Sequence, residues 1–419
     1  MAYYFIFPET DTTLYSHPDR SGMNAGIDEI LELVKERGST NQYNYPSRIL
    51  MKFKNDDINN TISLMGDSNF TSSLSSSVSL QLTLSNAKNL VSTHVLNAYI
   101  ISQSWTEGTG KYLNLPTGSN GASWQCRDYS SNTTESFCNT AWTTSSFGAN
   151  GGTGSIVSSS TLTPGGGTWY TGSQFYATQQ FLEGDSLDTD FDVKNLIHKF
   201  SASLNAGAVY PGGVENYGFL IKTLDSVESN ASGSFGEIQY FSSNTHTIYP
   251  PKLVFKWDDS KYDAYDYSQD SVGNFGTSQD SIQSVTYPNI FFTNKYEEGD
   301  TKVNINNLKD EYNQNDIATV RIHIRSNYPT RQFVTSSNYL DIGHFTSQSY
   351  FSVRDAHTER EIIPFDNKFT RISADINGMY FKLYMKGLQP ERYYRILLKH
   401  INLDGINIYD DDYYFKVVR

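Results

Sequence analysis

The chain has 419 residues, with 32 Lys+Arg against 45 Asp+Glu and a formal net charge of −13. That length is too great for one ordinary domain, and the acidity leaves no basic patch to drive counterion-release binding to nucleic acid. No run approaches the roughly 18 apolar residues of a membrane-crossing helix, and the opening MAYYFIFPETDTT, with no basic n-region and a break at Pro8, does not read as a secretory signal.

The hydrophobic fraction is only 37%, the deficit being filled by Ser, Thr, Asn and Gly. Aromatic residues compensate: 30 Tyr, 24 Phe and 5 Trp make 14% of the chain, and each buried ring removes more surface from water than an aliphatic side chain does. Tyr, Phe and Thr among abundant Gly turns favour strands, so the chain reads as all-β and globular.

In chain order, the first helical pattern is GIDEILELVKERG, where Ile27, Ile30, Leu31 and Val34 fall at i, i+3, i+4 and i+7 and Gly38 follows. RILMKF (48–53) and VLNAYI (95–100) read as strands. Cys126 and Cys138 are the chain's two cysteines, too few for a disulfide framework or a four-ligand zinc site, and two free thiols are expected ahead of a bridge. A second helix is expected where Val193, Leu196, Ile197 and Phe200 repeat the helical spacing, with Asp190 or Asp192 as its N-cap. The first block ends near Trp257. The polar, acidic stretch 259–284 reads as a linker, and a second block, 285–419, carries strand patterns at 319–327, 379–388, 393–401 and 413–418.

Six features of the first block, taken in order, resemble the DNRLRE-type domain, a β jelly roll also classed among carbohydrate-binding modules. They are Asp11–Leu14 with Asn24-Ala25-Gly26; RILMKF; VLNAYIISQSWTEGTG (95–110); GASW (121–124) with Trp142 and Gly151-Gly152; FDVKNLIHKF (191–200); and YFSSN with YPPKLVFKW (240–257). Phe200 stands where that pattern usually has Trp, and Lys194 where Thr is common. In the second block, Leu388-Gln389-Pro390 and Tyr394 resemble the fibronectin type III turn in which a Tyr hydroxyl bonds back to nearby backbone. The resemblances imply an N-terminal jelly-roll sandwich with one or two short helices (1–258), the linker, and an immunoglobulin/fibronectin-like β-sandwich (285–419).

Residues that could carry chemistry have plainer readings beside the functional ones. Trp105 and Trp124 are expected to plug the ends of the jelly roll, and Tyr394 to lock a corner of the C-terminal sandwich. Trp142, Trp169 and Tyr170, in or beside a Gly-rich stretch, are candidates for a ligand or partner surface. Asp188, Asp190 and Asp192 have calcium-loop spacing, but Val193 stands where Gly is required and Lys199 where a bidentate Glu is needed. Gly108-Thr109-Gly110-Lys111 lacks the rest of a phosphate loop, and no G-x-S-x-G or H-E-x-x-H occurs. No catalytic residue, metal or cofactor is therefore expected, and no nucleic acid or membrane partner.

A chain synthesised without a signal, yet polar and aromatic like a surface module, fits a virion protein. The sequence resembles a structural component of a tailed bacteriophage, in the tail, baseplate or neck, assembling as a homo-oligomer with other virion proteins. The alternative is a carbohydrate-binding module for host surface polysaccharide.

Overall fold

In a computed structural model of the chain, the described residues are 2–38, 42–71, 75–111, 121–128, 140–142, 165–170, 172–204, 213–261, 294–295, 301–327, 343–345, 348–375, 377–402 and 405–419. They form an all-β, sandwich-like fold of mainly antiparallel sheets with few helices. Most of the linker stretch, residues 262–284, lies outside the described residues, as do Gly151-Gly152 and Cys138. The chain divides into two compact units. An N-terminal unit comprises Ile6–Asp67 and Ser77–Val254, and a C-terminal unit combines Phe255–Arg419 with Met1–Phe5 and Ser68–Ser76.

The N-terminal unit is built on a sheet of eight strands: β1 (Thr10–Tyr15), β2 (Ile30–Arg37), β3 (Tyr43–Lys52), β4 (Leu84–Lys88), β5 (His94–Ile100), β6 (Tyr176–Phe181), β7 (Phe219–Thr223) and β8 (Glu237–Phe241). Their order is β6-β5-β7-β3-β2-β8-β4, with β1 also paired to β3. The long strand β3 organises this sheet. Its first half pairs with β2 (Lys35 opposite Pro46), and its second half is shared between β1 (Leu14 opposite Arg48) and β7 (Leu220 opposite Leu50).

Helix α1 (Asn55–Met65) follows β3 directly, burying Ile58, Thr61, Ile62 and Met65 at i, i+3, i+4 and i+7. The sequence analysis did not single it out. Helix α2 (Lys194–Leu204) falls where the spacing predicts one. Asp192 Oδ1 accepts the N–H of Lys194 at 3.2 Å, so an acid caps its first turn, and Phe200 packs on Phe219 of β7 with ring centroids 5.4 Å apart.

The helix expected over residues 26–38 is instead strand β2. Its burial alternates, with Leu31, Leu33 and Lys35 inside and Glu32 and Val34 half-buried, and Ile27, the first residue of the supposed helical stripe, is 37% exposed. The run ILELVK satisfies a two-residue period as well as a helical one. Pairing with β8 (Leu33 opposite Ile238) decides between them, because only the strand buries Leu33 and brings Lys35 Nζ to the carbonyl oxygens of Val227, Asn230 and Gly233.

In the C-terminal unit, β9 (Thr301–Ile305) pairs with β10 (Ile317–Ser326), which pairs with β12 (Gly378–Tyr384). A second sheet runs from β11 (Ser349–Asp355) through β13 (Arg392–Asn402) to β14 (Gly405–Val418). The sheets meet face to face: Phe351 of β11 stacks on Phe381 of β12, centroids 4.2 Å apart. Phe5 belongs to this unit as well, its backbone N so near Gly387 that a Cβ there would come within 2.8 Å of it.

The turn into β13 has the form the sequence implies. Tyr394 is buried, and its hydroxyl donates to the carbonyl of Gln389 at 2.9 Å. Tyr394→Phe is expected to lower stability by about 0.5–1.5 kcal/mol through loss of this hydrogen bond, measured by urea denaturation; unchanged stability would show that the bond contributes nothing.

Candidate functional site

Arg48 on β3 lies at the centre of the N-terminal unit. Its Nε and Nη2 make a bidentate pair with Glu228 (3.0 and 2.7 Å), and Nη1 donates to the carbonyl of Gly166 at 2.7 Å. Lys222 of β7 reaches the same carboxylate at 2.8 Å and also pairs with Asp225. Arg48, Lys222 and Glu228 are all buried.

Two indoles enclose the cluster. The Arg48 guanidinium lies 4.6 Å from the Trp124 ring centroid and 5.0 Å from that of Trp169, and Lys222 Nζ is 5.1 Å from Trp169. Gly166 passes the open side with φ +79°, and a Cβ there would meet Arg48 Nη1 at 2.6 Å and the Trp124 ring at 2.7 Å.

Trp142 and Trp169, which the sequence offers for an exposed platform, are internal. They are 6% and 1% exposed and share one core cluster with Trp124, Leu14, Leu50, Tyr99 and Leu220. The Trp142 indole N–H donates inward to the carbonyl of Ser123 at 2.9 Å. Tyr170 is half-buried against Phe175, centroids 5.1 Å apart. The two indoles are therefore turned into the core of the unit rather than out to its surface.

Beside the cluster a pocket of about 330 Å³ is lined by Lys52, Asn55, Ser104, Trp105, Glu215, Asn216 and Tyr217. Trp105 packs its ring against the tryptophan cluster and donates its indole N–H to the carbonyl of Tyr217 at 2.8 Å, which fixes the wall it presents. Buried Asn216 ties the floor together: its amide donates to the carbonyl of Phe53 (2.9 Å) and to Asn55 Oδ1 (2.7 Å), and its Oδ1 accepts the N–H of Gly218 at 3.0 Å. Gly218, with φ +95°, lets β7 approach β3 so closely that a Cβ would lie 2.1 Å from the Met51 carbonyl oxygen.

The rim carries charge of both signs. The Tyr217 hydroxyl bonds to Glu215, and that bond with burial pushes the phenol up to about 12. Lys52, 3.8 Å from Glu9, supplies the cation. A ring-shaped polar molecule would find an aromatic wall, an amide and a charge of each sign here. Sequence reasoning offered Trp105 only as a plug of the jelly roll and missed Lys52, Asn55, Glu215, Asn216 and Tyr217, because three segments far apart in sequence meet only through the β3–β7 pairing.

Other expected features have structural partners. Asp188 Oδ1 accepts the N–H of Leu84 at 2.7 Å and Asp190 Oδ1 the Gln81 amide at 2.9 Å, so these acids join loops. Among the described residues no group of three or more His, Cys, Asp or Glu could hold a metal, and no helix is long and apolar enough to cross a membrane. Cys126 is disulfide-bonded rather than a free thiol. The short ribbon Cys126–Asp128 with Thr140–Ala141 brings the flanks of the intervening loop together, a closeness that a spacing of twelve does not reveal.

No protein-family model matches the chain, and no curated protein is significantly similar to it.

Burial works to raise the Glu228 carboxyl, but Arg48 and Lys222 outweigh it and hold the group below the ordinary carboxylate range. Its contribution to stability is thus complete above the unfolded-state value near 4.5 and lost as pH falls through the folded-state value. Glu228→Gln is expected to cost about 3–5 kcal/mol at pH 7, because buried Arg48 loses its counter-charge and Lys222 is left with Asp225 alone, and to flatten the acid side of the stability profile. Urea denaturation from pH 3 to 7 measures both effects; a variant as stable as the parent at pH 7 would refute the central role of the cluster.

Proposed function

We propose that the chain is a structural protein of a virus particle, of the tailed-bacteriophage kind, acting in assembly of the tail, baseplate or neck. The observation that carries this reading is the hairpin β13–β14. Ile406 and Ile408 are 64% and 57% exposed, and Tyr393 and Tyr414 add exposed rings further along the same hairpin.

Next to β14, the short strand Glu311–Asn313 pairs only with Lys416–Val418. Among the described residues, Gly405–Phe415 therefore has a strand neighbour on one side, β13. A strand end that carries exposed Ile406 and Ile408 beside an open edge is an aggregation hazard in a free-standing protein, and it suits one whose edge is covered by another subunit. The surrounding charge, including the Arg395–Asp410 pair, would set register, and the net charge of −13 would keep free subunits soluble until a specific contact forms.

A second reading, recognition of a surface polysaccharide, is supported by the pocket at Trp105, whose aromatic wall and amide suit a sugar ring. It keeps the carbohydrate-module resemblance but moves its site away from Trp142 and Trp169.

Two measurements separate the readings. Ile406→Asp with Ile408→Asp is expected to shift the purified protein from oligomer to monomer in size-exclusion chromatography with light scattering, leaving the thermal midpoint within a few degrees; a parent that is already monomeric at high concentration would remove the support for self-assembly. On a glycan array the assembly reading expects no binding, whereas a signal that Trp105→Ala abolishes would establish the second reading.

A further inference from the structure

The first strand of the eight-stranded sheet carries an acid where the fold supplies no counter-charge. Asp11 on β1 is 1% exposed. Its Oδ2 accepts the N–H of Ser243 at 2.7 Å, while Oδ1 is enclosed without a hydrogen-bond partner. The backbone N–H of Asp11 donates to Glu107 Oε1 at 3.0 Å, so a second carboxylate stands beside the first.

Among the described residues, the groups that act on this pair are acidic or neutral. Glu107, in the loop after β5, acts on Asp11 with charge of the same sign, and Glu9, before β1, acts likewise on Glu107. The loop after β8 offers Ser243 and Asn244, both neutral. On β3, Asp11 lies opposite Met51; the next residue, Lys52, pairs with Glu9.

The same place ties several segments together. Asn24 donates to the carbonyl oxygens of Glu107 and Ala122 (2.6 and 2.8 Å) and accepts the N–H of Gly110 at 2.8 Å, while the Asn244 amide donates to the Gly26 carbonyl at 3.0 Å.

A buried carboxylate with an unfilled oxygen and a like charge beside it is costly, and the neutral acid costs less. We propose that Asp11 is a proton-linked latch: held as the neutral acid it ties β1 to the loops after β5 and β8, and its ionisation loosens that tie. Burial first, and then the Glu107 charge, push its carboxyl up to about 7 against the opposing Ser243 hydrogen bonds, in keeping with this geometry.

The folded chain keeps a proton that the unfolded chain releases. The latch therefore stabilises most fully below the unfolded-state value near 3.8, and its contribution is lost as pH rises to about 7.

The test is urea unfolding of the full chain from pH 4.5 to 8.5, comparing the parent with Asp11→Asn, which stays neutral and retains an oxygen for Ser243. The ratio of parent to variant unfolding constants is expected to rise with pH by up to about tenfold per unit, levelling off above about 7. Hydrogen exchange in peptides covering residues 10–15 and 240–246, corrected for intrinsic rate, should accelerate over the same range in the parent alone. Glu107→Gln, which preserves an acceptor for the Asp11 N–H, should move the parent's transition to lower pH, and it carries the test should Asp11→Asn not fold. Parallel profiles, or an unshifted Glu107→Gln transition, would overturn the proposal. So would stabilisation by CaCl₂ at pH 8 that Asp11→Asn abolishes, since the missing counter-charge would then be a metal ion rather than a proton.

Discussion

The N-terminal unit depends on a single buried carboxylate. Glu228 neutralises Arg48 and Lys222 at a depth where neither cation would be tolerated alone, and those cations in turn give Trp124 and Trp169 charged faces to pack on. A core with only a modest apolar fraction is thereby closed with rings stacked on ions in place of aliphatic packing. The arrangement also fixes position. Arg48 belongs to β3, Lys222 to β7, and the Gly166 carbonyl to the segment that crosses them, so the cluster sets the alignment of the strands that frame the neighbouring pocket.

Much of the architecture was legible because composition and period agree with it. The β class follows from the aromatic and β-branched content, and α2 and the four C-terminal strands follow from their patterns. The corner at Tyr394 could be read from Leu388 and Pro390. Illegibility has identifiable causes. ILELVK carries two periods, and a partner strand two hundred residues away chooses between them. The stretch with α1 has a helical stripe of its own, buried against the unit, but its polar letters hide it. Tryptophan identity says that an indole is used without saying on which side: Trp142 and Trp169 lie beside a Gly-rich stretch as a sugar platform would, yet both are buried in the core, Trp169 against the ions. The Trp105 pocket is invisible in any local window, since residues 52–55, 104–105 and 215–217 become neighbours only after the sheet has formed.

The two surfaces that bear on function differ in how they are built. The pocket walls in the N-terminal unit are hydrogen-bonded through Asn216 and Trp105, so the shape exists before any ligand arrives and little ordering cost remains. The hairpin of the C-terminal unit offers an edge with one strand neighbour among the described residues and exposed apolar side chains, which gain stabilisation when another strand or face covers them. Preorganised walls suit reversible recognition, and an uncovered edge suits a lasting joint.

The C-terminal unit is discontinuous in sequence, drawing in Met1–Phe5 and Ser68–Ser76 as well as everything from Phe255 onward. Residues 1–5 are synthesised some 250 residues before the main body of their unit, so they must wait for the structure that receives Phe5. Long-range closures of this kind slow folding and leave strand-forming segments exposed meanwhile. The Ser and Asn of residues 68–76 then acquire a kinetic role, keeping a waiting segment from pairing with neighbouring chains before residues 255–419 are made.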